Sequence, residues 1–105
     1  GNIVLRDRQH LSEDGIMIVV MTLERHSNVV LAGPDIVSRG FVYVRESEDL
    51  MEDAKEVVEN ALDSCLERNI TDWGKIKNTV KDALSDFLWK RTKRSPMILP
   101  IIMEA

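Results

Sequence analysis

Gly33-Pro34-Asp35-Ile36-Val37-Ser38-Arg39-Gly40-Phe41-Val42-Tyr43-Val44 divides this chain into two unlike halves. The residues before it read as strand. Those after it read as helix until a last apolar run near the C-terminus. A plain strand has no use for two glycines, a proline and an acid and a base between apolar residues. Pro34 fixes its own φ and lacks a backbone donor, while Gly33 and Gly40 permit φ values that other residues avoid. The segment is therefore expected to be a shaped crossing with a bend at each end. One reading is a bulged strand or structural loop. The other is an interaction site carried by Asp35, Ser38 and Arg39, in which Asp35 and Arg39 pair across the bend or hold a neighbouring strand.

Upstream, Ile16-Met17-Ile18-Val19-Val20-Met21-Thr22-Leu23 is rich in β-branched residues and too short for a typical helix, so it is expected to be a strand. Its near-continuous apolarity suggests burial on both faces for part of its length. A polar connection, Glu24 to Asn28, leads to a second short strand at Val29-Val30-Leu31-Ala32, and so brief a loop implies an antiparallel hairpin. Phe41-Val42-Tyr43-Val44 is either a further short strand or the exit from the bend.

Downstream, Ser47 is a natural N-cap and acids crowd the following turn, as the helix dipole favours. Leu50, Met51, Ala54, Val57, Val58, Ala61, Leu62, Cys65 and Leu66 then form a stripe at helical spacing. Cys65 lies on that stripe and is expected to be a small buried apolar residue. Thr71-Asp72 supply a new N-cap, and Trp73, Ile76, Val80, Ala83, Leu84, Phe87 and Leu88 make a second stripe. The short link predicts two helices that pack antiparallel or cross at an angle. Lys90, Arg91, Lys93 and Arg94 crowd the end of the second helix, and Pro96 stops it. Met97-Ile98-Leu99-Pro100-Ile101-Ile102-Met103 is a last strand. Pro100 cannot donate a ladder hydrogen bond, so an edge position or a bulge is expected there. A strand this apolar has to be covered, by the helices on one side, with a second chain as one candidate for the other. The expected fold is α+β: a two-layer sandwich of a three- or four-stranded mixed sheet with two helices on one face, in the order β-β-α-α-β.

At 105 residues the chain holds one modest core. Its net charge of −4 is unevenly distributed. Residues 46–69 carry nine acids and two bases, whereas residues 72–94 carry three acids and seven bases. The two helices are thus opposite in sign, as two solvated faces that attract each other would be. No apolar run approaches a membrane span, and one cysteine excludes an internal disulfide framework and fits a reducing compartment. The chain begins without methionine in an apolar run, as a fragment of a longer protein would, and residues 1–14 read as the end of an inter-domain linker.

The sequence offers little chemistry of its own. His10 and His26 are isolated. No zinc-ligand spacing, phosphate-binding glycine loop or serine elbow occurs. No catalytic residue and no metal ligand are assigned. Lys90, Arg91, Lys93 and Arg94 beside Trp89, with Lys75, Lys77 and Lys81 earlier on the helix, make a basic face that could neutralise RNA phosphates. A basic helix end that answers the dipole, or that meets an acidic partner domain, explains it equally well.

Several segments together resemble a known family. They are Leu5-Arg6-Asp7-Arg8 with Leu11-Ser12-Glu13-Asp14-Gly15, Pro34-Asp35-Ile36-Val37-Ser38-Arg39-Gly40-Phe41-Val42, Trp73, and Arg94-Ser95-Pro96-Met97-Ile98-Leu99-Pro100. In this order they resemble the C-terminal domain of bacterial ribonuclease J. The resemblance implies a parent enzyme with a metallo-β-lactamase core and an inserted β-CASP domain. Such an enzyme degrades RNA from the 5′ end and also cuts internally, in messenger RNA decay and ribosomal RNA maturation in the cytoplasm. Its two zinc ions sit in the core, whose ligand motifs match nothing here, so no cofactor is expected in this chain. The implied partners are the neighbouring nuclease domains, a second copy of the chain, RNA through the parent enzyme, and other RNA-decay proteins, with no membrane. The surfaces expected to serve them are Asp35, Ser38, Arg39 and Pro100 for protein contact, and Lys90, Arg91, Lys93 and Arg94 for RNA.

Overall fold

A computed structural model describes residues 14–24, 26–27, 29–41 and 47–105. Within them three strands and two helices follow one another: β1 (Ile16–Leu23), β2 (Val30–Arg39), α1 (Ser47–Glu67), α2 (Trp73–Thr92) and β3 (Met97–Glu104). The sheet order is β2-β1-β3, with β1 antiparallel to β2 and parallel to β3. The expected order and the mixed sheet under two helices are what the chain adopts. The linker expected over residues 1–14, apart from Asp14, and the strand considered over 42–44 lie outside the described residues, as does the side chain of Ser47.

The direction of β3 follows from chain parity. β2 returns antiparallel, which brings Arg39 opposite Ile16. Two helices run out and back. The chain therefore re-enters the sheet where β1 begins, and the Met97 N–H donates to the Gly15 carbonyl at 2.9 Å. From there β3 keeps register with β1 from Ile16↔Met97 to Leu23↔Glu104 without interruption.

The helices begin and end for local reasons. Asp72 caps α2 through its carboxylate, which accepts from the Gly74 N–H at 2.8 Å. At the end of α1, Asn69 adopts φ 56°. Its N–H donates to the Leu66 carbonyl at 3.1 Å, and the Ile70 N–H donates to the Cys65 carbonyl at 2.9 Å. This is a Schellman closure, and Ile70 lands against the core as such closures favour. Lys93 ends α2 at φ 58°, its N–H donating to the Trp89 carbonyl.

The core lies between the sheet and the helix pair. Met17, Val19, Met21 and Leu23 point inward from β1 and meet Leu50, Ala54, Val58, Leu62 and Cys65 of α1 and Ile76, Val80, Leu84 and Leu88 of α2. α1 covers the β2 side and α2 the β3 side. Both predicted stripes face this core, and Cys65 is buried in it, 1% exposed.

One expectation is corrected. The Gly33–Val44 stretch is no separate crossing between elements, because β2 runs on through Gly33 to Arg39, and the bend expected at its far end is at Gly40, with φ 73°; residues 42–44 lie outside the described residues. The irregularity is absorbed as two register shifts against β1, between Val20 and Thr22 and between Thr22 and Leu23. Each inserts one extra residue into β2, as bulges do. The Gly33–Pro34 peptide is cis, and Gly33 has φ 87°. The bulged-strand reading is the one the fold realises.

Candidate functional site

The basic end of α2 is largely occupied within the domain. Arg91 Nη1 pairs with Asp53 Oδ2 of α1 at 2.8 Å, and its guanidinium lies 5.9 Å from the Phe87 ring centre. Lys90 Nζ meets Asp86 Oδ2 one turn back at 3.0 Å. Arg94 Nη1 is 3.8 Å from Asp14 Oδ1, and the other oxygen of Asp14 accepts from the Ser95 N–H at 2.8 Å. The fourth cation, Lys93, stands 5.5 Å from the Trp89 ring centre, and that ring is half exposed. Three of the four predicted RNA-contacting residues therefore already face carboxylates, and only a small excess of positive charge remains.

The second group of predicted residues divides between the two faces of the sheet. Registered strand partners share a face. Ser38 pairs with Met17, and Pro100 with Val19, so both turn toward the helices. Along β3 the N–H groups of Met97 and Ala105 point to β1, so the even-numbered residues between them point their backbone nitrogens away. The missing donor of Pro100 thus falls on the open edge, with no bulge, and interrupts that edge at its middle as edge prolines do. Asp35 and Arg39 lie on the opposite, outer face. They are four strand residues apart, roughly 13 Å along the chain, and do not pair with each other. Arg39 Nη1 donates instead to the Ser38 carbonyl at 2.9 Å.

That outer face is built in rungs. Val37, Ile18 and Leu99 form the central one. Asp35, Val20 and Ile101 lie on one side of it, and Arg39, Ile16 and Met97 on the other. Val37, Leu99, Ile101 and Met103 are 37–54% exposed. β1 itself alternates between buried inner and half-buried outer positions, so the burial on both faces that its apolarity suggested is not met among the described residues. Sequence reading marked Asp35 and Arg39 but missed that Val37, Ile18, Val20 and Ile101 join them in one surface. The apolar runs at 16–23 and 97–103 were the available signal, and only the register joins them.

His26 lies in the exposed β1–β2 turn, where its N–H donates to Glu24. Among the described residues no group of three or more His, Cys, Asp or Glu could hold a metal ion. The hollows between β2 and α1 are open and hold about 230 Å³ beside Asp35 and Lys55 and about 220 Å³ beside Pro34 and Glu59. Both fall below the roughly 300 Å³ at which small-molecule sites begin. No described helix is long and apolar enough to cross a membrane.

Comparison with known proteins places this arrangement. The family model for the ribonuclease J C-terminal domain matches residues 3–105. Ribonuclease J2 of Bacillus subtilis (strain 168) is 52% identical over 104 residues, which cover 99% of this chain and 19% of that protein. Ribonuclease J 2 of Staphylococcus aureus (strain NCTC 8325 / PS 47) is 51% identical with the same coverage. The chain therefore spans about one fifth of the length of the curated relatives it matches.

Proposed function

This chain belongs to the ribonuclease J C-terminal domain family, and on that premise we propose that it is a non-catalytic accessory domain of a ribonuclease J. The observation that carries the reading is coverage: the match takes up nearly all of this chain and only a fifth of relatives named as ribonucleases. Phosphodiester hydrolysis is assigned to the remaining four fifths. That core would hold the zinc ions through its own residues, degrade RNA from the 5′ end and internally, and serve messenger RNA decay and ribosomal RNA maturation in the cytoplasm. The domain contributes by binding protein, both the neighbouring nuclease domains and a second copy, and so supports assembly and activity. Its exposed apolar sheet face supports that reading.

The test compares the parent ribonuclease with and without this domain. Light scattering should show a smaller assembly for the truncated enzyme, and RNA turnover should fall. A truncated enzyme that keeps both its assembly and its rate would end the proposal.

RNA contact through Lys90, Arg91, Lys93 and Arg94 is the alternative. Lys93 over the exposed Trp89 ring favours it, since a base can stack on such a ring beside a phosphate-binding cation. The three carboxylate pairings oppose it. Titration with single-stranded RNA at several salt concentrations separates the two: affinity that falls steeply with salt and vanishes when the four residues are neutralised supports direct contact.

A further inference from the structure

The helix layer does not close over β2 as it does over β1. On the inner face Met17, Val19 and Met21 are fully buried, whereas Ile36, the strand partner of Val19, is only half-buried. The gap holds two open hollows between β2 and α1. One lies over Ile36 and Met51 and is edged by Asp35, Glu52 and Lys55. The other lies over Pro34 and Leu62 and is edged by Glu59 and Asp63. The floor is thus apolar, and the rim carries four acids against one base. Along α1 the hollows are about eight residues apart, roughly 12 Å. The backbone is open at the same place. The Gly15 and Leu23 carbonyls accept from β3 and its end, so the odd residues of β1 turn their backbone groups to β3 and the even ones to β2. Ile36 stands opposite the odd Val19, so its N–H and carbonyl point out of the sheet edge, and no described residue bonds to either. The edge is closed on both sides of it: Pro34 has no donor, and the Ser38 carbonyl accepts from Arg39 Nη1.

We propose that this groove binds an extended peptide segment of a partner protein, one that carries two apolar side chains four residues apart among lysines and arginines. The inference goes beyond the accessory-domain reading and does not rest on it. Side chains four residues apart in an extended segment share a face and stand roughly 13 Å apart, close to the spacing of the hollows. Each hollow, at about 230 and 220 Å³, takes one side chain rather than a whole small molecule. A single bridge to the Ile36 N–H and carbonyl sets the register, as in strand addition to a sheet edge. Pro34 on one side and Ser38 on the other keep the segment from sliding along that edge. The charge of the partner follows from α1. Residues 46–69 carry nine acids and two bases, and Glu52, Glu59 and Asp63 are exposed and pair with no described base. Such a rim attracts basic flanks and repels the phosphates of a nucleic acid.

The probe is a fluorescein-labelled nonapeptide, Lys-Arg-Leu-Lys-Ser-Arg-Ile-Lys-Arg, titrated with the chain by fluorescence anisotropy and located by amide NMR. It should bind, shift the Ile36 and Met51 amides most, and protect the Ile36 amide from exchange. A peptide with serine for its leucine and isoleucine should bind about tenfold or more weakly, and so should one with glutamate for every lysine and arginine. Glu59→Lys should weaken binding about tenfold. Glu67→Lys makes the same charge change at an exposed position that lines neither hollow, and should alter binding about twofold or less. Both positions are exposed, so circular dichroism should show the fold unchanged. A probe that does not bind at millimolar concentration overturns the proposal. So does equal weakening by the two variants, or indifference to the leucine and isoleucine, since either leaves bulk charge alone. Displacement of the probe by single-stranded RNA, or the same amide shifts on concentrating the chain without peptide, gives the groove to nucleic acid or to a second copy and overturns it as well. The truncation experiment on the parent enzyme reads assembly and turnover, so the accessory role is decided separately.

Discussion

Gly15 opens β1 at φ 81°, buried where three segments meet. A Cβ there would stand 2.4 Å from the Arg39 carbonyl oxygen and 2.6 Å from the Phe41 nitrogen, both backbone atoms that cannot step aside. Gly15→Ala should therefore cost more than about 2 kcal/mol, read as a lower denaturant midpoint. Lys93 is the opposite case. It sits exposed at φ 58°, where a side chain is a liability of about 1 kcal/mol, so Lys93→Gly should raise the melting temperature. Glu24 gives the residue scale its pH dependence. Its carboxylate accepts from the Ser27 hydroxyl at 2.6 Å, the Ser27 N–H at 2.7 Å and the His26 N–H at 3.1 Å. The Ser27 hydroxyl is the chief cause that holds its pKa below the ordinary value. A depressed folded pKa means a contribution present above the unfolded pKa and lost as pH falls through the folded one. The protection of the Ser27 amide against exchange, taken relative to its intrinsic rate at each pH, should fall on acidification across that window, and Glu24→Gln should remove that change.

At the scale of elements, the C-terminal end of α2 is held by two partners distant in sequence. Arg91 ties it to α1 through Asp53, and Asp14 ties the α2–β3 link to the mouth of β1 through Ser95 and Arg94. Asp14 is half-buried and accepts a charge-assisted bond from the Ser95 N–H, so Asp14→Ala should cost about 1–2 kcal/mol in chemical denaturation. These pairings explain why the basic run at 90–94 misleads as a sequence signal. Its charge was legible, but Asp53 and Asp14, 38 and 80 residues from their arginines, were not, since loop and helix packing alone bring them there. The reverse held for Asp72. An N-cap is a local hydrogen bond, set by one side chain and the next turn, and could be read directly.

For the whole molecule, the two helical stripes close on the inner face of the sheet in one core. Leu84 is fully buried at its centre, 0% exposed. Leu84→Ala should destabilise the chain by about 2–5 kcal/mol in a single cooperative transition, since the loss includes both transfer and cavity terms. The sequence by itself determined the number and kind of elements, the hairpin, the helix pair and the buried Cys65. Periodicity and turn chemistry are local properties, and tertiary contact reinforced them here. It also determined the family, because the Pro34–Val42 segment and the Arg94–Pro100 segment occur in order in one chain. Only the tertiary structure decided that β1 is central, that β2 passes through Gly33 to Arg39 as a bulged strand, and that Asp35 and Arg39 flank Val37 on an open apolar face. Those facts depend on register between strands up to 81 residues apart, and a strand carries its face pattern without saying which neighbour will share it.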